Sequence, residues 1–196
     1  ALALLRDLHL GARAHDVVSV LRGDAVWLAG REAEARVEYE AVLPRVTRAA
    51  ERRLLLAKLH LLARPAAAEL LRDYLLQFSR PGRSPETFER DWIAQLEEAA
   101  RRMPEDAVVT YLLGRARYNA LEHGPAEEHL RASLALGLAP DELRLEALAL
   151  LVNLQYRRGA WDGAAREART LAGSGNDEYR AQGEDWLERI AWRRAR

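Results

Sequence analysis

A chain of 196 residues, 49% of them hydrophobic, is long and apolar enough to bury a continuous core, which excludes a disordered segment. Thirty acidic and thirty basic residues cancel to a formal charge of zero, so no global field draws the chain to nucleic acid or an anionic membrane. The lack of cysteine excludes disulfides, thiolate catalysis and thiolate metal ligands, and no run of about 18 apolar residues reads as a membrane span.

Apolar residues recur at spacings of three and four, strand alternation is absent, and the expected fold is therefore all-α. In chain order, eleven helices are predicted, over residues 2–13, 16–29, 31–43, 46–63, 65–78, 85–102, 105–121, 124–136, 140–158, 161–172 and 176–194. The first is carried by Leu2, Leu5 and Leu8 and has no signal segment before it, so a trimmed chain or a portion of a longer protein is expected. Pro44, Pro65, Pro81, Pro85, Pro104, Pro125 and Pro140 all fall where a helical pattern starts or stops, as a residue without an amide donor should. Residues 79–85 form the longest irregular piece and are read as a surface loop joining two hairpins, with a hinge as the alternative. The last helix follows Gly173-Ser174-Gly175, with Asn176 as its cap. Its inward residues are Trp186, Leu187 and Ile190, and its wet ones are Glu184, Asp185, Glu188 and Arg189.

Lys58 is the only lysine among thirty basic residues, an arginine bias that suggests a GC-rich bacterial source. A soluble protein of the bacterial cytoplasm or periplasm is the corresponding expectation.

Three stretches carry one skeleton. Gly23, Gly30 and Ala35 recur as Gly114, Leu121 and Ala126, and again as Val152, Gly159 and Ala164, each time with offsets of 7 and 12 residues. A small or apolar residue in one amphipathic helix, a reversal, and a small residue early in the next describe a helical hairpin that is repeated. The clearest copies span residues 16–44, 105–138 and 141–172; irregular hairpins occupy 46–103, and 176–194 caps the series. The whole chain is read as one domain.

These residues resemble the tetratricopeptide repeat, whose helix pair carries small residues near its eighth and twentieth positions and is often closed by a proline. The best copy has Leu112-Leu113-Gly114, then Gly124-Pro125-Ala126, then Leu130, Ser133 and Leu134; another has Gly23, Gly30, Ala35, Tyr39, Val42 and Leu43, closed by Pro44. Residues 99–107 resemble a junction between two repeats, with Trp92, Leu96 and Ala99 facing inward from the helix before it. The resemblance covers about two thirds of the chain and implies a right-handed α-solenoid of stacked hairpins. Three departures stand out, the first being that residues 46–85 fit poorly, as a degenerate or differently phased hairpin. The first-helix aromatic expected three residues after the small one is replaced by Val26, Arg117 and Gln155, with rings one residue later at Trp27, Tyr118 and Tyr156. The spacing is also uneven, 91 residues from Ala35 to Ala126 and 38 from Ala126 to Ala164, against about 34 in the family.

The resemblance implies a partner on the concave face, lined by first helices. Helical spacing places Tyr111, Arg115 and Tyr118 on one stripe with Asn119 beside it, Asn153 and Tyr156 on the next with Arg157, and Asp24 with Trp27 on that of the first copy. Rings, guanidinium groups and amides together suit capture of a peptide or protein surface. The alternative for Trp27, Tyr118 and Tyr156 is that they fill the core between helices.

No catalytic chemistry is legible. The five histidines, at positions 9, 15, 60, 123 and 129, show no metal-ligand spacing, and Gly173-Ser174-Gly175 is no nucleophile elbow because no strand precedes it. Acid pairs such as Glu97-Glu98 and Glu127-Glu128 are expected on wet faces beside arginines. The tail with Arg189, Trp192, Arg193, Arg194 and Arg196 reads as a solvated helix end, with a phosphate contact as the alternative. The expected function is a non-enzymatic scaffold or adaptor that binds a protein or peptide, without cofactor, metal or nucleic acid, and open to self-association. A ligand- or peptide-sensing regulatory domain acting on an attached effector is the alternative.

Overall fold

The computed structural model describes residues 12–77 and 85–196. Among them are ten α-helices, one short 3-10 turn and no strand. Packing divides the chain into one compact unit ending at Pro85 and another running from Glu86 to Arg196. The first holds α1 (Ala12–Leu28), α2 (Glu32–Val42), the turn Leu43–Arg45, α3 (Ala49–Leu62) and α4 (Pro65–Gln77). The second is built from α5 (Pro85–Arg102), α6 (Ala107–Asn119), α7 (His123–Ala135), α8 (Asp141–Arg157), α9 (Trp161–Ala172) and α10 (Asp177–Arg194).

The expected break between residues 13 and 16 is not found, because α1 runs unbroken from Ala12 and no glycine or proline lies between Gly11 and Gly23 to stop it. Most of the predicted first helix and the loop at 79–85 lie outside the described residues. The helix expected from residue 46 starts at Ala49, since Pro44 draws the chain into the 3-10 turn first.

The repeated triplet has a physical basis at each of its three positions. Its middle residue is left-handed in every copy, with φ of 75° at Gly30, 64° at Leu121 and 78° at Gly159. There the amide of Gly30 donates to the Trp27 carbonyl at 2.9 Å, that of Leu121 to Tyr118 at 3.0 Å and that of Gly159 to Tyr156 at 3.1 Å. The next amide reaches further back, from Arg31 to Val26, Glu122 to Arg117 and Ala160 to Gln155, at 3.1, 2.9 and 2.9 Å. This double closure satisfies the last carbonyls of the first helix and turns the chain into the second. The third residue, Ala35, Ala126 or Ala164, is fully buried where the second helix meets the first.

The first residue sets how closely the two helices approach. A Cβ at Gly23 would lie 2.4 Å from the Tyr39 ring, and one at Gly114 would lie 3.0 Å from the Leu130 backbone nitrogen. In the last copy the sizes are exchanged: Val152 replaces the glycine, and Ala168 occupies the place of Tyr39 and Leu130, both within one buried cluster. Conserved total volume keeps the hairpin closed with different residues.

The α3–α4 hairpin lacks the left-handed cap. Its helix ends at Ala63 with φ −78°, and α4 begins at once on Pro65, whose missing amide costs nothing in a first turn. That is why the skeleton cannot be traced through residues 46–85.

The core of the first unit contains Trp27, Tyr39, Leu61, Leu71, Tyr74 and Leu75, all fully buried, and has a charged centre. Lys58 Nζ donates to Asp24 Oδ1 at 2.7 Å, Tyr39 donates its hydroxyl to the same oxygen, and the ammonium lies 5.5 Å from the Tyr39 ring centroid. Burial pushes the Lys58 amine below its ordinary value while Asp24 pulls it back up; burial, then the Asp24 charge, pushes the Tyr39 hydroxyl up.

In the second unit α6 packs on α7, both pack on α8, α8 packs on α9, and α8 and α9 both pack on α10. Leu96 and Ala99 of α5 are buried as expected, and Trp92 is half-buried. Asp106 caps α6 by accepting from the amides of Val108 and Val109, both at 3.0 Å, and Asn176 caps α10 by accepting from Glu178 and Tyr179. Inward residues of α10 are Ile190, buried, with Trp186 and Leu187 packed against the same cluster. Gly183 lets α10 press its backbone onto α9, since a Cβ there would lie 2.4 Å from the Ala172 nitrogen.

Candidate functional site

The nine residues expected to bind a partner separate into buried and accessible groups. Trp27 is 0% exposed and Asp24 4%; both belong to the first unit, one in its aromatic core and the other in its ion pair. Trp27 stands edge-on to Tyr39 with ring centroids 6.4 Å apart. Neither offers surface to a partner, because the helices packed on α1 enclose both side chains. Val26, one residue before Trp27, is also buried.

Tyr111 is likewise fully buried, a correction to its place on the exposed stripe. Its hydroxyl donates to the Glu146 carboxylate, joining α6 to α8 through their facing sides. Burial first and the Glu146 charge second push the hydroxyl pKa well up, and the Arg115 guanidinium beside it pulls the other way. Arg115 thus serves this polar clip and is half-buried.

What remains accessible lies in the second unit. Tyr118 and Asn119 lie half-buried at the end of α6, while Asn153 and Tyr156 lie half-buried on α8 with Arg157 exposed beside them. Tyr118 leans toward His123 at 6.5 Å between centroids. Tyr156 is held between Trp161 at 5.0 Å and Trp186 at 5.1 Å, which fixes its ring while its edge stays open. The Oδ1 atom of Asn153 is buried and has no hydrogen-bond partner among the described residues.

Three contributors were not predicted from the sequence. Tyr156 lines an open depression of about 420 Å³ together with Asp185, Glu188, Arg189, Trp192 and Arg193, so α10 adds to this surface instead of only capping the core. Arg117 binds the carboxylates of Glu97 on α5 and Glu122 in the turn, which clips α5 to the end of α6. Glu127, expected on a wet face, is buried beneath Arg131 and Arg158 at 3.0 and 2.8 Å and ties α7 to the end of α8. For Arg117 and Glu127 the signal was a charged residue at an inward helical position, which periodicity alone reads as a misfit.

Among the described residues no three histidine, aspartate or glutamate side chains converge as a metal site, and no helix is long and apolar enough to cross a membrane. The chemistry on offer is contact area, amide and guanidinium hydrogen bonding, and charge. No family model and no curated protein matches the chain.

Proposed function

We propose that this chain is a non-enzymatic interaction module of the tetratricopeptide type, whose first helices present a surface for a protein or peptide partner. The observation that carries the reading is a pair of accessible rings, Tyr118 on α6 and Tyr156 on α8, at the ends of two helices that pack on one another. Tyr118 and Tyr156 occupy equivalent cap positions in two hairpins, and both remain half-buried while the corresponding Trp27 is consumed by its core. Rings held rigid by neighbours bind with little entropic loss. The stacking of α6 on α8 and α8 on α10 supports a solenoid reading, since first helices that contact one another form a continuous lining.

Affinity capture from the source organism tests the proposal when paired with a variant. Replacing Tyr118 and Arg157 together by alanine is expected to release the captured protein while shifting the melting temperature little, because neither residue is buried. Retention of the same partner by that variant, with melting unchanged, would contradict this use of the surface.

A further inference from the structure

The end of α10 carries an aromatic and cationic surface that a cap helix does not need. Trp192 is 49% exposed, with the Arg196 guanidinium 3.9 Å and that of Arg193 5.4 Å from its ring centroid. Four arginines cluster here, but they are not equivalent. Arg189 pairs with Asp185 at 2.8 Å while stacking over Trp186, and Arg194 pairs with Asp162 at 2.5 Å. Arg193 donates from Nε to the Tyr156 hydroxyl at 3.3 Å, and neither it nor Arg196 has a carboxylate partner among the described residues. Two guanidinium groups with no ion-pair partner among the described residues therefore flank an exposed indole, beside a depression large enough for one or two side chains.

We propose that this surface docks an acidic segment of a partner protein. Its carboxylates would be held by Arg193 and Arg196, and an apolar side chain between them would lie against Trp192 at the mouth of the depression. Planar guanidinium groups match carboxylates in paired hydrogen bonds, and a tryptophan already covered on one side by cations is a contact from which little further freedom is lost. Charge complementarity selects this occupant over nucleic acid. Asp185, Glu188 and Asp162 interleave with the arginines, and the chain as a whole is neutral, so no continuous basic stripe exists to follow a phosphate backbone. Glu188 lines the depression and repels a ligand carboxylate placed there, so the acidic groups must fall toward the helix end.

Fluorescence anisotropy with a fluorescein-labelled peptide of alternating glutamate and leucine tests this. Arg193→Ala with Arg196→Ala is expected to weaken binding about tenfold or more, Trp192→Ala about tenfold, and Glu188→Gln to tighten it about twofold. All four side chains are exposed, and unchanged circular dichroism and melting confirm that the variants are folded. Tyr156 is only a wall of the depression, and neither Tyr118 nor Arg157 lines it, so the Tyr118 and Arg157 variant should bind the peptide as the parent does. Four results would overturn it: no binding of the acidic peptide, binding indifferent to the arginine replacements, loss of binding in the Tyr118 and Arg157 variant, or equally tight binding of a single-stranded oligonucleotide.

Discussion

At the scale of single residues, the position that caps each first helix carries the most information. Glycine fills it in two hairpins and Leu121 in the third, where φ of 64° forces an L side chain into a conformation that costs about 1 kcal/mol. The Leu121 side chain is 70% exposed, so little packing offsets that strain. Leu121→Gly is therefore expected to stabilise the protein by up to about 1 kcal/mol in urea unfolding, whereas Gly159→Ala should destabilise it by a similar amount. If Leu121→Gly lowers the midpoint, the turn is held by something other than its left-handed cap. The offset of 7 residues was legible in the sequence because this backbone geometry tolerates few residue types. Its meaning was obscured only where leucine occupies the site.

Among elements, buried charge holds helices together in ways that hydrophobic spacing does not announce. Asp24, Tyr39 and Lys58 lie on α1, α2 and α3, and each is nearly inaccessible, so one carboxylate oxygen ties three helices. Lys58→Met removes the compensating charge and leaves Asp24 buried beside a tyrosine, which is expected to cost about 3–5 kcal/mol in chemical denaturation. Adding Asp24→Asn to Lys58→Met should recover a large part of that loss, since both charges are then gone. Additive losses in the double variant would show that the two residues act separately. Helix positions were largely readable from apolar periodicity and from proline, with caps such as Asn176 visible as local chemistry. The centre of the first unit was not, because a lone lysine and an aspartate 34 residues apart show no pattern until the chain has folded.

For the molecule as a whole, its sequence announced an all-helical protein, and the structure adds which surfaces are spent on stability. The stripe drawn through Asp24, Trp27, Tyr111, Arg115, Tyr118, Asn119, Asn153, Tyr156 and Arg157 was placed by helical period alone, which fixes direction but not depth. Neighbouring helices decide depth: they bury Tyr111 against Glu146 and leave Tyr156 at the edge of a depression shared with α10. The functional reading accordingly rests on a smaller set of residues, concentrated in the second unit. Hydrogen–deuterium exchange of the captured complex tests it most directly. The account predicts added protection in peptides covering the ends of α6 and α8, residues 115–119 and 153–157, with α7 and α9 unchanged; protection confined to α7 and α9 would contradict it.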